Sequence, residues 1–393
     1  MSDIAERPES RTDTRIPSSA GTIRPFVAAD APRVAEILLY AFQKSTRAPS
    51  QEMIAYLKRL YLDIPWYTPD IHARVMELPD GRISGFIGLT PLPLQFGDKR
   101  ITVGVTSSLS CDDRIGDAMT GPRLVRHVRN GPQDGVLSDR SNAAAAAISR
   151  QLRSDVPHNY SLDFLRVLRP GSFGLDWTTR HLRPTRLVAP LLRPLAARFD
   201  RRMAAQALVS DDGHWAAPGK TRGSAAFKDR PVGIDEVLDL LPFFLERFTL
   251  KPAFERAHWR FILEDASRKD AFGDFHALAV DSPSGETVGL YLYHVRAGHT
   301  AQLLQAFAIP GKEGVVLDRL FGHAMAAGAT AVHGRSIPMF HRQLMDRHAF
   351  FYPDQWTVVY ARDPEVAQHF HAGTAFFTGL AGESWIRLNG NSF

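Results

Sequence analysis

Cysteine is almost missing from this chain: Cys111 stands alone among 393 residues. One thiol closes no disulfide within the chain and builds no cysteine-rich zinc site. Its scarcity points to a reducing compartment. Long apolar runs are missing as well. No stretch approaches the ~18–20 apolar residues that span a bilayer. The N-terminus MSDIAERPESRTDTRIPSSAG has acids and bases but no apolar centre, so it does not read as a secretory signal. Its Pro, Ser, Thr and charged residues predict a disordered tail over residues 1–20. The expected location is the cytoplasm. Glycine (29) and proline (26) occur without a period, which excludes a collagen-like fibre, and 44% hydrophobic residues exclude disorder throughout. Metal-ligand spacing is lacking: His369 and His371 are two apart, on different sides of a helix, and no HExxH pair occurs. No metal is expected.

Charge of one sign is scarce except in one place. The chain carries 47 basic and 42 acidic residues, a formal +5. Between Arg166 and Met203, however, nine arginines meet only Asp176 and Asp200, so this segment alone carries +7 and the remainder is slightly acidic. Residues 166–232 are rich in Arg, Pro and Gly and read as a basic linker with a helix in it, an inter-domain strut with a solvated arginine face. Pro190 and Pro194 are expected to break that helix, leaving 191–207 as its amphipathic part. A weak contact of 166–203 with an anionic membrane surface is the functional alternative. Aromatic interleaving is sparse, so no nucleic-acid partner is expected.

Periodicity supplies the elements. Residues 22–27 read as a strand, followed by an amphipathic helix carrying Val34, Ile37, Leu38 and Ala41. Ser50 is placed as the N-cap of a second helix through Met53, Ile54, Leu57, Leu60 and Tyr61. Strand runs at His72–Leu78, Ile83–Thr90 and Ile101–Leu109 are separated by the turns PDG and GDK. A helix at Arg123–Val128, a strand at Gly135–Ser138 and an alanine-rich helix at Asn142–Leu152 complete a layer fold around one sheet. The order then repeats from Val237 to His348. Gly85 in SGFIGL matches Gly289 in VGLYLY, and Gly131 matches Gly328, each offset by about 200 residues. The repeat predicts a tandem duplication, with domains at 21–165 and 233–393.

This order of elements resembles the GNAT acyltransferase fold, present twice. SSLSCDDRIGDAMTGPRLVRHVRNG (107–131) is similar to the family's fourth strand, loop and helix, and GPQDGVLSDRSNAAAAAI (131–148) to its fifth strand and Asn-opened helix. In the second half the resemblance rests on GLYLYHVR, LLQAFAIPGKEGVVLDRLF and the tail FFTGLAGESWIRL. It implies an α/β (α+β) architecture of two GNAT-like mixed-sheet domains joined by the basic Arg/Pro-rich linker. It also implies acetyl-CoA or another acyl-CoA as co-substrate. The pantetheine arm would lie in a cleft where the sheet splays, with the pyrophosphate on amides opening the helix after the fourth strand. The acyl group would pass to an amine or hydroxyl of a small-molecule or carrier-bound acceptor, in a monomer or homodimer. Carried onto this sequence, the cofactor-side residues are Ser110, Cys111, Arg114, Gly116, Gly121 and Asn142, with an amide near Ser110 or Cys111 holding the oxyanion. Asp112, Asp113 and Glu77 are the candidate general bases.

The sequence departs from the family's Arg/Gln-x-x-Gly-x-Gly/Ala loop. Counting back from the helix puts Gly116 at the basic position and Met119 and Gly121 at the glycines. Asp112, Asp113 and Asp117 add negative charge where a pyrophosphate would lie. The family's usual tyrosine acid falls on Ser149, and the second half offers Gly311, Lys312 and Gly314 without the spacing. These departures motivate a second reading, a catalytically degenerate GNAT-fold binding or scaffold protein. GHWAAPGKT (213–221) imitates a P-loop with one residue too many between its glycines, and KTRGSAA (220–226) imitates an acyl-CoA loop without a strand before it. Both read as linker. GSFG (171–174) lacks the spacing of a nucleophile elbow, and Cys111 reads as a packed structural thiol rather than a nucleophile.

Overall fold

A computed structural model describes residues 21–182, 185–207 and 224–388. The expected N-terminal tail, GHWAAPGKT and most of KTRGSAA lie outside the described residues. The first half runs β1 (Thr22–Pro25), α1 (Ala31–Gln43), α2 (Gln51–Leu62), β2 (Arg74–Glu77), β3 (Ile83–Phe96), β4 (Lys99–Cys111), α3 (Thr120–Arg129), β5 (Gly135–Ser141), α4 (Ala143–Gln151) and β6 (Asp163–Val167). Helices α5 (Pro170–His181) and α6 (Thr185–Ala207) follow. The second half runs β7 (Lys228–Pro231), α7 (Ile234–Leu245), β8 (Leu250–Pro252), α8 (Arg256–Ser267), β9 (Asp274–Asp281), β10 (Thr287–Val295), β11 (Thr300–Ala308), α9 (Glu313–Ala326), β12 (Ala331–Arg335), α10 (His341–Met345), β13 (Phe350–Tyr352), β14 (Trp356–Ala361) and α11 (Pro364–His371).

Local signals act as read. Ser50 caps α2 by accepting from the Met53 amide, and Asn142 caps α4 by accepting from Ala145. The apolar stripe of α1, including Val34, Ile37 and Leu38, is buried. The prolines do not break α6: Pro190 and Pro194 stand inside one continuous helix. Packing overrides their cost. Ala189 of α6 is buried, and Asp200 accepts from the Gly171 and Ser172 amides that open α5. The two helices form an antiparallel hairpin within the stretch 166–232 that was expected to be a basic linker with a helix in it.

Two mixed sheets carry the fold. One runs β1-β2-β3-β4-β5-β14 with β8 against β3, and the other runs β13-β6-β12-β11-β10-β9-β7. Among the described residues each holds one parallel strand pair, β4 with β5 and β11 with β12. The paths correspond strand for strand, with β7, β9, β10, β11 and β12 repeating β1 to β5. The matched glycines do the same job. A Cβ on Gly85 would sit 2.6 Å from Thr120 and 3.0 Å from Leu124 of α3, and one on Gly289 would sit 2.1 Å from Val316 of α9. Each glycine lets the helix after the fourth strand lie close on the third. The sixth position is exchanged: β14, from the second half, flanks β5, while β6, from the first, flanks β12.

The halves also share a core. α1 and α2 pack with α7 and α8 between the sheets, together with Phe376, Leu380, Trp385 and Ile386 of the tail. α9 covers the other face of the second sheet and α3 that of the first. Among the described residues no helix is long and apolar enough to cross a membrane.

Candidate active site

The parallel strands part. β4 and β5 pair only from Val103–Val105 to Gly135–Leu137, although β4 continues to Cys111 and β5 to Ser141. β4 bulges away from β3 at Ser108, whose φ is 55°. Tyr61 of α2 reaches the opened strand, its hydroxyl 2.9 Å from Ser107 Oγ and 3.4 Å from Ser108 Oγ. Gly88 makes room for it, since a Cβ there would lie 2.3 Å from the Tyr61 oxygen.

The C-terminal tail enters this opening. Glu383 Oε2 accepts from Ser138 Oγ (2.8 Å), Asp139 N (3.2 Å) and Arg140 N (2.9 Å), groups on the edge of β5 that β4 leaves. The Glu383 amide donates to Asp139 Oδ1 at 2.7 Å. Gly382 is required at this turn, because a Cβ would fall 2.2 Å from Asp139 Oδ2. Two buried carboxyls thus lie side by side. Burial, and then the charge of Asp139, pushes the Glu383 carboxyl up to about 8.

Next to the pair, Lys269 Nζ donates to the Ser384 carbonyl at 2.6 Å. Burial and the charge of Arg140 push that ammonium down to about 7, against the pull of Asp265 and Asp139. Asp265 is raised by burial and accepts from Tyr56 at 2.6 Å, and the Tyr56 oxygen accepts from the Arg387 amide. Such a cluster of ionisable groups displaced from their ordinary values marks a candidate site.

The second sheet opens in the same way and closes differently. β11 and β12 pair over Thr300–Leu303 and Ala331–Gly334, then part beyond a bulge at Leu304. Tail residues fill the gap: the Leu380 amide donates to Gln305 Oε1 at 3.4 Å, and Gly379 leaves no room for a Cβ against Leu304 O and Gln305. The space that remains, lined by Phe164, Gln305, Ile337 and Thr378 among others, is about 20 Å³, the size of one water. One tail therefore occupies both openings.

The structure gathers the loop residues named from sequence at the far end of β4. Asp112 is buried and clamped by Arg33 (2.6 Å) and Arg114 (2.7 Å), which hold its carboxyl well below the usual carboxylate range. Asp113 accepts from Tyr40 at 2.9 Å, and the Arg114 guanidinium stacks on the Tyr40 ring. Asp117 accepts from the Met119 amide (2.9 Å), the Thr120 hydroxyl (3.3 Å) and Arg123 (3.1 Å). With Pro122 lacking an N–H, the chain's own carboxylate takes up much of the anion-holding capacity at the start of α3.

Burial, then Asp113 and Asp117, pushes the Cys111 thiol up to about 11, so it is not a thiolate at neutral pH. The Ser110 hydroxyl is buried without a hydrogen-bond partner. The Gly116 amide donates to Asp112 O, and a Cβ on Gly121 would meet only Cys111 Sγ at 3.6 Å. Gly116, Asp117, Thr120 and Arg123 face Met76, Leu78 and Asp80 across an open groove of about 300 Å³. Glu77 stands apart from the loop carboxylates, ion-paired with Arg24. Asn142 serves as the cap of α4 on the β5 side.

Sequence reasoning did not find Asp139, Lys269 or Glu383. The tail was singled out, but nothing local tells where a glutamate 244 residues from its partner will land. Among the described residues no group of three or more His, Cys, Asp and Glu is placed to hold a metal ion.

No family model matches the sequence, and no curated protein matches it. Among solved structures, the chain is similar to a conserved protein of unknown function from Enterococcus faecalis, named as a probable N-acyltransferase. The two are 10% identical with a TM-score of 0.54, over 87% of this chain and 73% of that one. It is similar also to a GCN5-related N-acetyltransferase from Anabaena variabilis, 9% identical with a TM-score of 0.53, over 87% and 73%. These likenesses show the fold. The chain has the GNAT architecture that its element order resembled, and its two mixed sheets are consistent with a tandem arrangement.

Proposed function

We propose that this chain is an acyltransferase, moving an acyl group from an acyl-CoA thioester to an amine or hydroxyl of a small-molecule or carrier-bound acceptor. The observation that carries the reading is the parting of β4 and β5 with the Glu383–Asp139 pair buried between them. In such a transfer the acceptor nitrogen or oxygen bonds to the thioester carbonyl carbon, the C–S bond breaks, and the acceptor's proton must leave. A carboxyl near 8 is matched to that task at neutral pH, because a base works best with a pKa close to the working pH. The edge of β4 that β5 leaves beyond Val105 would face the developing oxyanion. Asp112, held well below the usual carboxylate range by Arg114 and Arg33, is a weak base, and Glu77 is ion-paired with Arg24. Asp113 is the loop carboxylate that remains, beside the Tyr40 hydroxyl. On the donor side we assign Ser110, Cys111, Arg114, Gly116 and Gly121 to the groove at α3, with Asn142 holding α4 in place.

One observation favours a second reading, a binding or scaffold protein without catalysis: Asp117 occupies the amide that a pyrophosphate would use, and the tail fills both openings. Calorimetry with acetyl-CoA and CoA on the full chain, Gly121→Glu and Glu383→Gln separates the two. The acyltransferase reading expects binding that Gly121→Glu abolishes, and turnover that Glu383→Gln abolishes while binding persists. If wild-type protein binds neither ligand, the second reading stands.

A further inference from the structure

We propose that the α5–α6 hairpin is a docking surface for anionic lipid bilayers. The hairpin is anchored to the second half: Asp176 lies 2.7 Å from His299, and Arg169 donates to the Met325 carbonyl. Its inward side is made by Ala189 and Asp200, both buried. Its outward side is apolar. Leu187 (85% exposed), Leu191 (75%) and Leu195 (62%) repeat at every fourth residue of α6, and Val188, Leu192 and Phe199 extend the row. At 3.6 residues per turn these six side chains cover an arc of about 140°. Trp177 of α5, half exposed and stacked on His181, and Leu182 are exposed on the same hairpin.

The arginines decide the partner. Arg193, Arg198, Arg201 and Arg202 are all exposed on α6, the last three gathered in its C-terminal half on or beside the apolar arc. No carboxylate among the described residues pairs with them. Two copies of this face would bring like charges together, which opposes self-association. An anionic bilayer satisfies both halves of the pattern: the leucines, Phe199 and Trp177 enter the headgroup–acyl boundary, and the arginines meet lipid phosphates. The membrane contact expected from sequence thereby acquires a specific face, and it does not depend on the acyltransferase reading.

Co-sedimentation of the full-length protein with phosphatidylcholine vesicles, with and without phosphatidylglycerol, tests this. Binding is expected only to the phosphatidylglycerol vesicles, falling steeply with salt. Replacing Arg198, Arg201 and Arg202 together by Gln should weaken it on the order of 100-fold, from roughly a five-fold loss per cation. Leu191→Glu with Leu195→Glu should abolish it. All five positions are exposed, so circular dichroism and thermal unfolding of both variants should match wild type. Equal binding to neutral vesicles, or wild-type binding by both variants, overturns the proposal. So does a concentration-dependent dimer in sedimentation equilibrium that Leu191→Glu dissolves while vesicles fail to bind. That result would make the face a contact between copies.

Discussion

Replacing Glu383 by Gln should remove a specific limb from the pH dependence of stability. The carboxyl is held up to about 8 in the folded chain, against an ordinary 4.5. Between those values the folded state keeps a proton that the unfolded state has released. Stability therefore falls as pH rises through this interval, and is free of the penalty below it. At 1.36 kcal/mol per tenfold change in the proton equilibrium, the loss is at most about 5 kcal/mol by pH 8. Glutamine keeps an oxygen to accept from Ser138, Asp139 and Arg140, and its amide can donate to Asp139 Oδ2, which has no partner. Lys269 supplies the opposite limb. Pushed down to about 7 from 10.5, it binds fewer protons folded than unfolded, so stability rises with pH between those values. Urea unfolding from pH 5 to 10 should show a minimum near pH 7–8 for wild type. The acid-side decline should vanish in Glu383→Gln, and the alkaline-side rise in Lys269→Met. Parallel curves for wild type and Glu383→Gln would refute the reasoning, since Glu383 would then titrate as an ordinary carboxyl despite its burial.

Asp117→Ala frees the Met119 amide and removes a carboxylate from the start of α3; calorimetry should show CoA affinity rising several-fold if this is the donor site. Gly382→Ala drives a methyl into the Asp139 carboxylate and should lower the unfolding midpoint by the equivalent of about 1–3 kcal/mol, with the tail cut faster by protease. Asp112→Asn deprives Arg33 and Arg114 of their charge partner and should cost about 1–3 kcal/mol at pH 7. Because that carboxyl is held low, its contribution is present above the ordinary carboxylate range and lost as pH falls, so the two proteins should converge in acid.

What the sequence showed clearly was local. Caps at Ser50 and Asn142, the apolar stripes of α1 and α2 and the order of strands are set by neighbours a few residues apart. Gly85 and Gly289 could be matched in the sequence because the same helix-on-strand approach needs the same missing Cβ. Long-range pairings were not legible. β14 meets β5 with Trp356 opposite Ser141, and nothing in WTVVYA names that partner. The strand β6 fell at an expected domain boundary because DFLRV has no turn chemistry of its own to mark it. α6 was misread at its prolines, where packing on α5 outweighs local preference. The loop carboxylates looked catalytic by composition, and only their partners show Asp112 to be an anchored ion.

The exchange of sixth strands binds the halves more firmly than contact between two finished domains would. A chain cut within residues 208–223 would leave β6 on the N-terminal fragment, inserted in the second sheet. β14, β8 and the tail would sit on the C-terminal fragment, inserted in the first. Separation would then open two sheets at once. It would expose the edges of β5 and β12, empty the β4–β5 opening of the tail, and uncover the core in which α1 and α2 meet α7 and α8. Buried apolar surface at about 25 cal/mol per Å² makes such a core worth many kcal/mol. A protease site introduced in that stretch and cleaved under native conditions should therefore give fragments that co-elute at the size of the intact chain and part only in denaturant. Fragments that separate in buffer and keep their own secondary structure would show two independently closed domains, and the reciprocal strands would then not be what unites them.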